Sequence, residues 1–217
     1  KTGSVVIDMS SIAPDATRQM AATLHQRQVD MLDAPVSGGE AGAKDGSLAI
    51  MVGGKPAVFR RMKPILQMMG HCTYVGPHGC GQIAKACNQA LITQFTTAVA
   101  EVLLLAKAAG ADPGKVRAAM LDGFAHSKAL DAHGQRMLNG DFKAGFKAKL
   151  HAKDLSIVRR LAEQSGIRLS VMEAAAQMME ALAESNGELD SSSVLKILEQ
   201  RMGIKLCDSE NKSVSKK

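Results

Sequence analysis

Val5-Val6-Ile7-Asp8-Met9-Ser10-Ser11-Ile12-Ala13-Pro14 is the stretch whose reading decides the fold of the first third of this chain. Three consecutive β-branched residues with no polar alternation predict a strand buried on both faces, the kind found in parallel sheets. Asp8 closes the run and the serines form a turn. Pro14 then suits the first turn of a helix, where its missing N–H is no loss, and that helix is expected to run to about Gln28. Working outward, Met31 to Val36 and Ser47 to Val52 repeat the strand pattern, the second closed by Gly53-Gly54. An amphipathic helix near Pro56 to Met69 and a short strand around Cys72 to Val75 complete the series. Strand and helix alternate, which is the signature of an open α/β sheet.

After Gly81 the pattern changes. Gln82 to Ala109 contains neither Pro nor Gly, and Ala98 to Ala106 is apolar almost all round. Such a helix must be covered by other helices or by a second subunit. Further helices are expected at Pro113–Leu121, Lys128–Leu138, about Leu150–Ser165, Val171–Glu184 and Ser192–Arg201. Asp112-Pro113 and Ser191-Ser192 supply starts, and Gly166 and Gly187 supply stops. The expected organisation is an α/β part over 1–78, an all-helical domain over 79–203 and a disordered, polar, basic tail over 204–217, with no internal repeat.

Composition narrows the function classes. The 217 residues are 46% hydrophobic and 22% charged, which excludes a disordered chain. With aromatics at 3%, no Trp and 13 Met, the core must be aliphatic and thioether. The net charge is +6, but Lys and Arg are scattered and stacking residues are scarce, so no nucleic-acid partner is expected. Cys72, Cys80, Cys87 and Cys207 form no CxxC pair, and His126, His133 and His151 lack metal-ligand spacing. Free thiols, structural histidines and no metal are the expectation. No apolar run reads as long enough to cross a bilayer and no signal peptide opens the chain, so no membrane partner and a cytoplasmic location are expected. No Gly-x-Gly-x-x-Gly follows a strand, which places the phosphate-binding half of any dinucleotide site outside these residues.

Three segments can carry chemistry. Ser37-Gly38-Gly39 after a strand exposes successive backbone N–H groups beside a hydroxyl, a nest suited to a carboxylate, and equally reads as a plain turn. Gly79-Cys80-Gly81 lets the chain turn into the long helix, with Lys85 in its first turns and Asn88 and Gln89 three and four residues on. Partial burial there would lower the proton affinity of Lys85 toward a range useful for proton exchange, whereas a surface lysine would do nothing. Phe142, Phe146, Leu150 and Leu155 recur at helical spacing and are expected in the core, with Lys153-Asp154 as a solvated pair.

In this order, Asp8-x-Ser10-Ser11-Ile12-x-Pro14, Asp33-Ala34-Pro35-Val36-Ser37-Gly38-Gly39, Gly79-x-Gly81-x-x-x-Lys85-x-x-Asn88 and Lys153-Asp154-Leu155 resemble the β-hydroxyacid dehydrogenases, the family related to 3-hydroxyisobutyrate dehydrogenase. The likeness runs from about Lys1 to Gly203. It implies an α/β fold: a partial Rossmann-like sheet followed by an all-α C-terminal domain, joined by a long linking helix. It also implies an oxidoreductase that moves hydride between NAD or NADP and a small oxo or hydroxy acid, assembled as a homo-oligomer. By resemblance Lys85 is the catalytic general acid and base. Ser37, Gly38, Gly39 and Asn88 bind substrate, while Ser10, Ser11 and Lys153 lie at the cofactor. The wording of Asp33–Gly54 and Phe142–Leu155 points within the family to tartronate semialdehyde, reduced to glycerate; 3-hydroxyisobutyrate and four-carbon sugar acids are the alternatives. Many relatives carry Thr at Ser11 and Asn at Gln89. Asn88-Gln89, in place of the His-Asn of the phosphogluconate branch, argues against a sugar phosphate, and Lys85 argues against imine reduction. Lacking the glycine fingerprint, the bare chain is expected to be inactive. A non-catalytic helical dimerisation module is the reading from another class.

Overall fold

β1 (Val5–Asp8) and β2 (Asp30–Asp33) pair in parallel, Ile7 opposite Leu32 and Asp8 opposite Asp33, with α1 (Pro14–Gln26) as the crossover. Pro14 stands at the first turn of α1, as its fixed φ and missing N–H favour. The strand expected across Met31 to Val36 is broken: β2 ends at Asp33, and β3 is only Val36–Ser37. Pro35 between them cannot donate to a ladder, although its carbonyl still accepts from the Met51 N–H (3.0 Å). β4 (Leu48–Gly54) runs antiparallel to both β2 and β3, and parallel to β5 (Gly70–Gly76) beyond α3 (Pro56–Gln67). The sheet is therefore mixed. The link from β3 to β4, through the short α2 (Gly39–Lys44), lacks the length of a parallel crossover, so the chain returns antiparallel. Leu32, Ile50, Val52, Val58 and Leu66 form the buried centre beneath the helices, with Ile7, Phe59 and Met62 packed on it.

The computed structural model describes residues 1–207. Within them the chain divides into two compact units. The first is Lys1–Ala90 together with Lys153–Arg168, and the second is Leu91–Ala152 with the chain from Leu169 onward. The division falls inside α4 (Cys80–Ala108), so one helix serves both, and α7 (Ala148–Gln164) is shared in the same way. Most of the tail expected at 204–217 lies outside the described residues. Before residue 208, Leu206 is buried and its N–H donates to Glu199 Oε1 (2.9 Å).

The second unit is helical: α5 (Pro113–Leu121), α6 (Lys128–Asn139), α8 (Ser170–Asn186) and α9 (Val194–Met202). Asp112 and Ser127 cap α5 and α6, accepting the Lys115 and Leu130 N–H groups at 2.9 and 3.0 Å. Its core is the expected mixture of aliphatic side chains and thioethers: Leu103, Leu104, Met137, Met179 and Leu182 are fully buried. The helical spacing read across Phe142, Phe146 and Leu150 is not a helix. The segment is irregular until α7 begins at Ala148, both phenylalanines are half-buried and Leu150 is exposed. The backbone there is held by Asp190 instead, whose Oδ2 accepts the N–H groups of Gly145 (2.9 Å) and Phe146 (3.0 Å).

Another correction concerns α4. By length and composition it is apolar enough to cross a bilayer, contrary to the sequence reading. Of its most apolar window, 56% is buried inside the protein, as befits a core helix.

Thr96 Oγ1 lies 2.9 Å from His133 Nδ1 in this unit. Burial holds the His133 pKa below the ordinary histidine value, with Arg136 acting in the same direction and Asp190 opposing. The unfolded chain therefore binds a proton that the folded one resists, so stability falls as pH drops through about 6.5. Denaturant midpoints at pH 7.5 and 5.5 should show this loss, and His133→Gln should flatten it. A parallel slope in both proteins would contradict the assignment.

Candidate active site

The first turn of α4 is fastened to the ends of β2 and β4. Asp33, fully buried at the end of β2, accepts the Gly79 N–H through Oδ1 (3.0 Å) and the Gln82 N–H through Oδ2 (3.1 Å). A carboxylate on these otherwise orphaned donors also complements the positive end of the helix. Only glycine fits beside it: a Cβ on Gly81 would lie 2.5 Å from the Met51 carbonyl oxygen and 2.7 Å from that of Asp33. Gly53 is equally tight, since a Cβ there would stand 2.7 Å from both Asp33 carboxylate oxygens. These contacts fix where α4 starts and hence where its second turn points.

From that start, Gln82, Lys85, Ala86 and Gln89 share one helix face, at the spacing i, i+3, i+4, i+7. With Ser11, Ile12, Asp154 and Ile157 they line an open cleft of about 180 Å³, mouth included. The Gln82 side chain, itself buried, bridges to the loop after β1: its Nε2 donates to the Ser10 carbonyl (2.8 Å) and its Oε1 accepts the Ile12 N–H (3.1 Å). The Lys85 ammonium donates to the Val36 carbonyl at 2.8 Å. Desolvation by burial holds the Lys85 pKa below the ordinary lysine value; the Asp154 charge opposes this and the Lys153 charge adds to it.

Asp154 is not half of a solvated pair. Its side chain is 5% exposed, it accepts from Gln89 Nε2 at 2.7 Å, and Lys153 Nζ stands 2.9 Å from its other oxygen. Lys153, half exposed, also donates to the Ser11 carbonyl at 2.7 Å. Of the residues singled out from sequence, Lys85 and Ser11 line the cleft, and Lys153 is tied to Ser11. Ser37 follows the carbonyl that Lys85 holds. Gly38 and Gly39 take φ values of +139° and +64°, which favour glycine, and lead exposed into α2. Asn88 does not line the cleft; its Nδ2 donates to Gln89 Oε1 (2.9 Å), and Gln89 is the amide that does. Sequence reasoning placed Gln89 beside Lys85 without giving it a role, and assigned none to Asp33 or Gln82. For Gln82, its position three residues before Lys85 was the signal that could have found it.

Two family models match the chain. Residues 1–76 match the NAD-binding domain of 6-phosphogluconate dehydrogenase, and residues 79–198 match the NAD-binding domain of NADP-dependent 3-hydroxyisobutyrate dehydrogenase. Over 206 residues, 94% of this chain and 70% of the relative, it is 42% identical to 2-hydroxy-3-oxopropionate reductase of Escherichia coli K12. The chain belongs to the β-hydroxyacid dehydrogenase family. A 2-(hydroxymethyl)glutarate dehydrogenase of Eubacterium barkeri is 35% identical over 94% of this chain and 69% of its own length. Among solved structures, the 3-hydroxyisobutyrate dehydrogenase of Mycobacterium tuberculosis with L-serine superposes with a TM-score of 0.84. It is 30% identical, covering 91% of this chain and 71% of that one. β-Hydroxyacid dehydrogenases are NAD(P)-dependent oxidoreductases acting on CH–OH groups, and the family places the cofactor, NAD or NADP, with this chain.

The loop after β1 fits such a cofactor. Its carbonyls at Ser10 and Ser11 are taken by Gln82 and Lys153, which fix the backbone. The hydroxyls of Ser10 and Ser11 make no hydrogen bond among the described residues and stand ready for a ligand. Both lie just past the carboxyl end of a parallel strand, where α/β sheets bind dinucleotides.

Proposed function

We propose that this protein reduces a small 2-hydroxy-3-oxo acid, tartronate semialdehyde, to glycerate, and runs the reverse reaction, with Lys85 as general acid and base. The observation that carries the reading is a lysine ammonium, desolvated and beside an open cleft, on a helix whose start is fixed by a buried carboxylate. The 42% identity to a 2-hydroxy-3-oxopropionate reductase supports the substrate. NAD(P)H, when bound, supplies the hydride. The chain's own residues do the rest. Lys85 gives its proton to the carbonyl oxygen, so that the aldehyde becomes a primary alcohol, and in oxidation the neutral amine takes the proton back. Ser37, Gly38 and Gly39 hold the carboxylate, Asn88 positions the substrate, and Ser10, Ser11 and Lys153 hold the cofactor. The location is cytoplasmic in this reading. Leu91, Phe95, Val102 and Leu105, which α4 leaves exposed, support a homo-oligomer built on that face.

The test is oxidation of NADH and NADPH with tartronate semialdehyde and, separately, methylmalonate semialdehyde. It uses the chain alone and the chain joined to the glycine-fingerprint segment of a relative. Silence in the chain alone, and turnover with preference for tartronate semialdehyde in the joined form, are expected. Preference for methylmalonate semialdehyde would replace the substrate with 3-hydroxyisobutyrate, the reading that the likeness to the mycobacterial structure favours. No turnover by folded protein in either form would favour the helical module.

A further inference from the structure

We infer that Asp154 is the positioning residue of this site: its buried carboxylate is the counter-charge that keeps Lys85 a proton donor and fixes the orientation of the two neighbouring amides. The inference rests on the proposed role of Lys85. It begins with geometry. Asp154 is almost wholly buried on α7, yet it lines the same cleft as Lys85 and Gln89 of α4. A buried carboxylate is costly unless its charge is compensated: here Oδ2 accepts from Gln89 Nε2 at 2.7 Å, and Lys153 Nζ stands 2.9 Å from Oδ1 as an ion pair without hydrogen-bond geometry.

The pairing has a direction. An ionised carboxylate only accepts, so the Gln89 amide must turn its nitrogen toward Asp154 and its oxygen away. That oxygen takes the Asn88 Nδ2 hydrogen at 2.9 Å, so Asn88 is left with its own Oδ1, which has no partner among the described residues. One charge thus sets the polarity of two consecutive amides, of which Gln89 lines the cleft.

The same carboxylate acts on Lys85. Burial favours the neutral amine, and a neutral amine cannot protonate an oxyanion during reduction. The charges that face Lys85 are Asp154 and Lys153, both on α7: Asp154 raises its proton affinity and Lys153 lowers it. Without Asp154, burial and the Lys153 charge both push the proton off.

The experiment follows the Lys85 ammonium directly, in the chain as it stands, by NMR titration of [ε-13C]lysine, with Lys85→Arg to assign the resonance. In Asp154→Asn, which keeps an oxygen for Gln89, the Lys85 midpoint should move to lower pH. Asp154→Glu should restore it toward wild type, and Lys153→Met should move it to higher pH. In turnover, the pH limbs of reduction and of oxidation should shift together to lower pH in Asp154→Asn. At a pH above both limbs, the rate of reduction relative to wild type should then fall by about tenfold for each unit by which the limb moves. Lost packing would lower both directions evenly and leave the limbs in place. An unmoved Lys85 midpoint in folded Asp154→Asn overturns the inference. If that variant does not fold, an unmoved midpoint in Asp154→Ser overturns it instead. Failure of the underlying reading looks different, because turnover would then survive loss of Lys85 whatever its midpoint.

Discussion

Lys85→Met is expected to reduce turnover of the oxo acid by about 10²–10⁴-fold with the fold intact. Methionine has similar length and suits a half-buried position beside Ala86, so packing changes little. What disappears is the proton that must reach the carbonyl oxygen as hydride reaches carbon. Water in the open cleft is a far weaker acid than an ammonium and would rescue only part of the rate. Binding of the hydroxy acid should weaken much less than turnover, because the Ser37–Gly39 backbone, not Lys85, is proposed to hold the carboxylate. Circular dichroism and the melting temperature check the fold, and initial rates with saturating cofactor check the chemistry. A rate within about threefold of wild type would take Lys85 out of the proton-donor role.

Gly81→Ala should lose stability, although helix propensity alone predicts a gain. Alanine is favoured over glycine in a helix by about 1 kcal/mol. Against this, the new Cβ would lie 2.5 Å from the Met51 carbonyl oxygen and 2.8 Å from Asp33 Oδ2. These are polar atoms of β4 and of a fully buried cap, so they cannot swing aside as a flexible side chain would. Overpacking of this kind costs about 1–3 kcal/mol, and disturbing the Asp33 cap adds about 1 kcal/mol. The clash wins, with a net loss of about 1–3 kcal/mol. Gly123→Ala is the control, since a Cβ there meets its nearest neighbours at an ordinary 3.8 Å. Melting temperatures of the two variants should part, Gly81→Ala falling and Gly123→Ala holding. The first should also slow turnover, since Lys85 sits one turn beyond the displaced residue. A Gly81→Ala protein as stable as wild type would mean that Asp33 and Met51 do not fix the start of α4.

Much of this fold is legible in the residues because its signals are local. Val5–Ile7 and Leu48–Val52 are apolar runs short enough to be strands, and the stretch from Gln82 to Ala109 has neither Pro nor Gly. Strand direction is different. A strand carries the same hydrophobic pattern whichever way it runs, so nothing in Leu48–Gly54 announced that it runs antiparallel to β2. Pro35 was the visible warning that Met31–Val36 could not be one strand. The site divides along the same line. Lys85 and its helix face follow from spacing within one element. Asp154 and Gln89 stand 65 residues apart in sequence, and no local rule brings them together. Lys153-Asp154 looked like a solvated pair because adjacent opposite charges usually are; burial of one member is a tertiary fact.

The most direct test of the central claim, that a small hydroxy acid is bound against Lys85, is to titrate glycerate into the [ε-13C]lysine-labelled chain. The Lys85 resonance should shift saturably, with Lys153 responding less and the exposed lysines not at all. Isobutyrate, of the same charge and similar size but without the hydroxyls, should move it weakly. A Lys85 signal that stays still while glycerate binds elsewhere, or while turnover continues, would contradict the account.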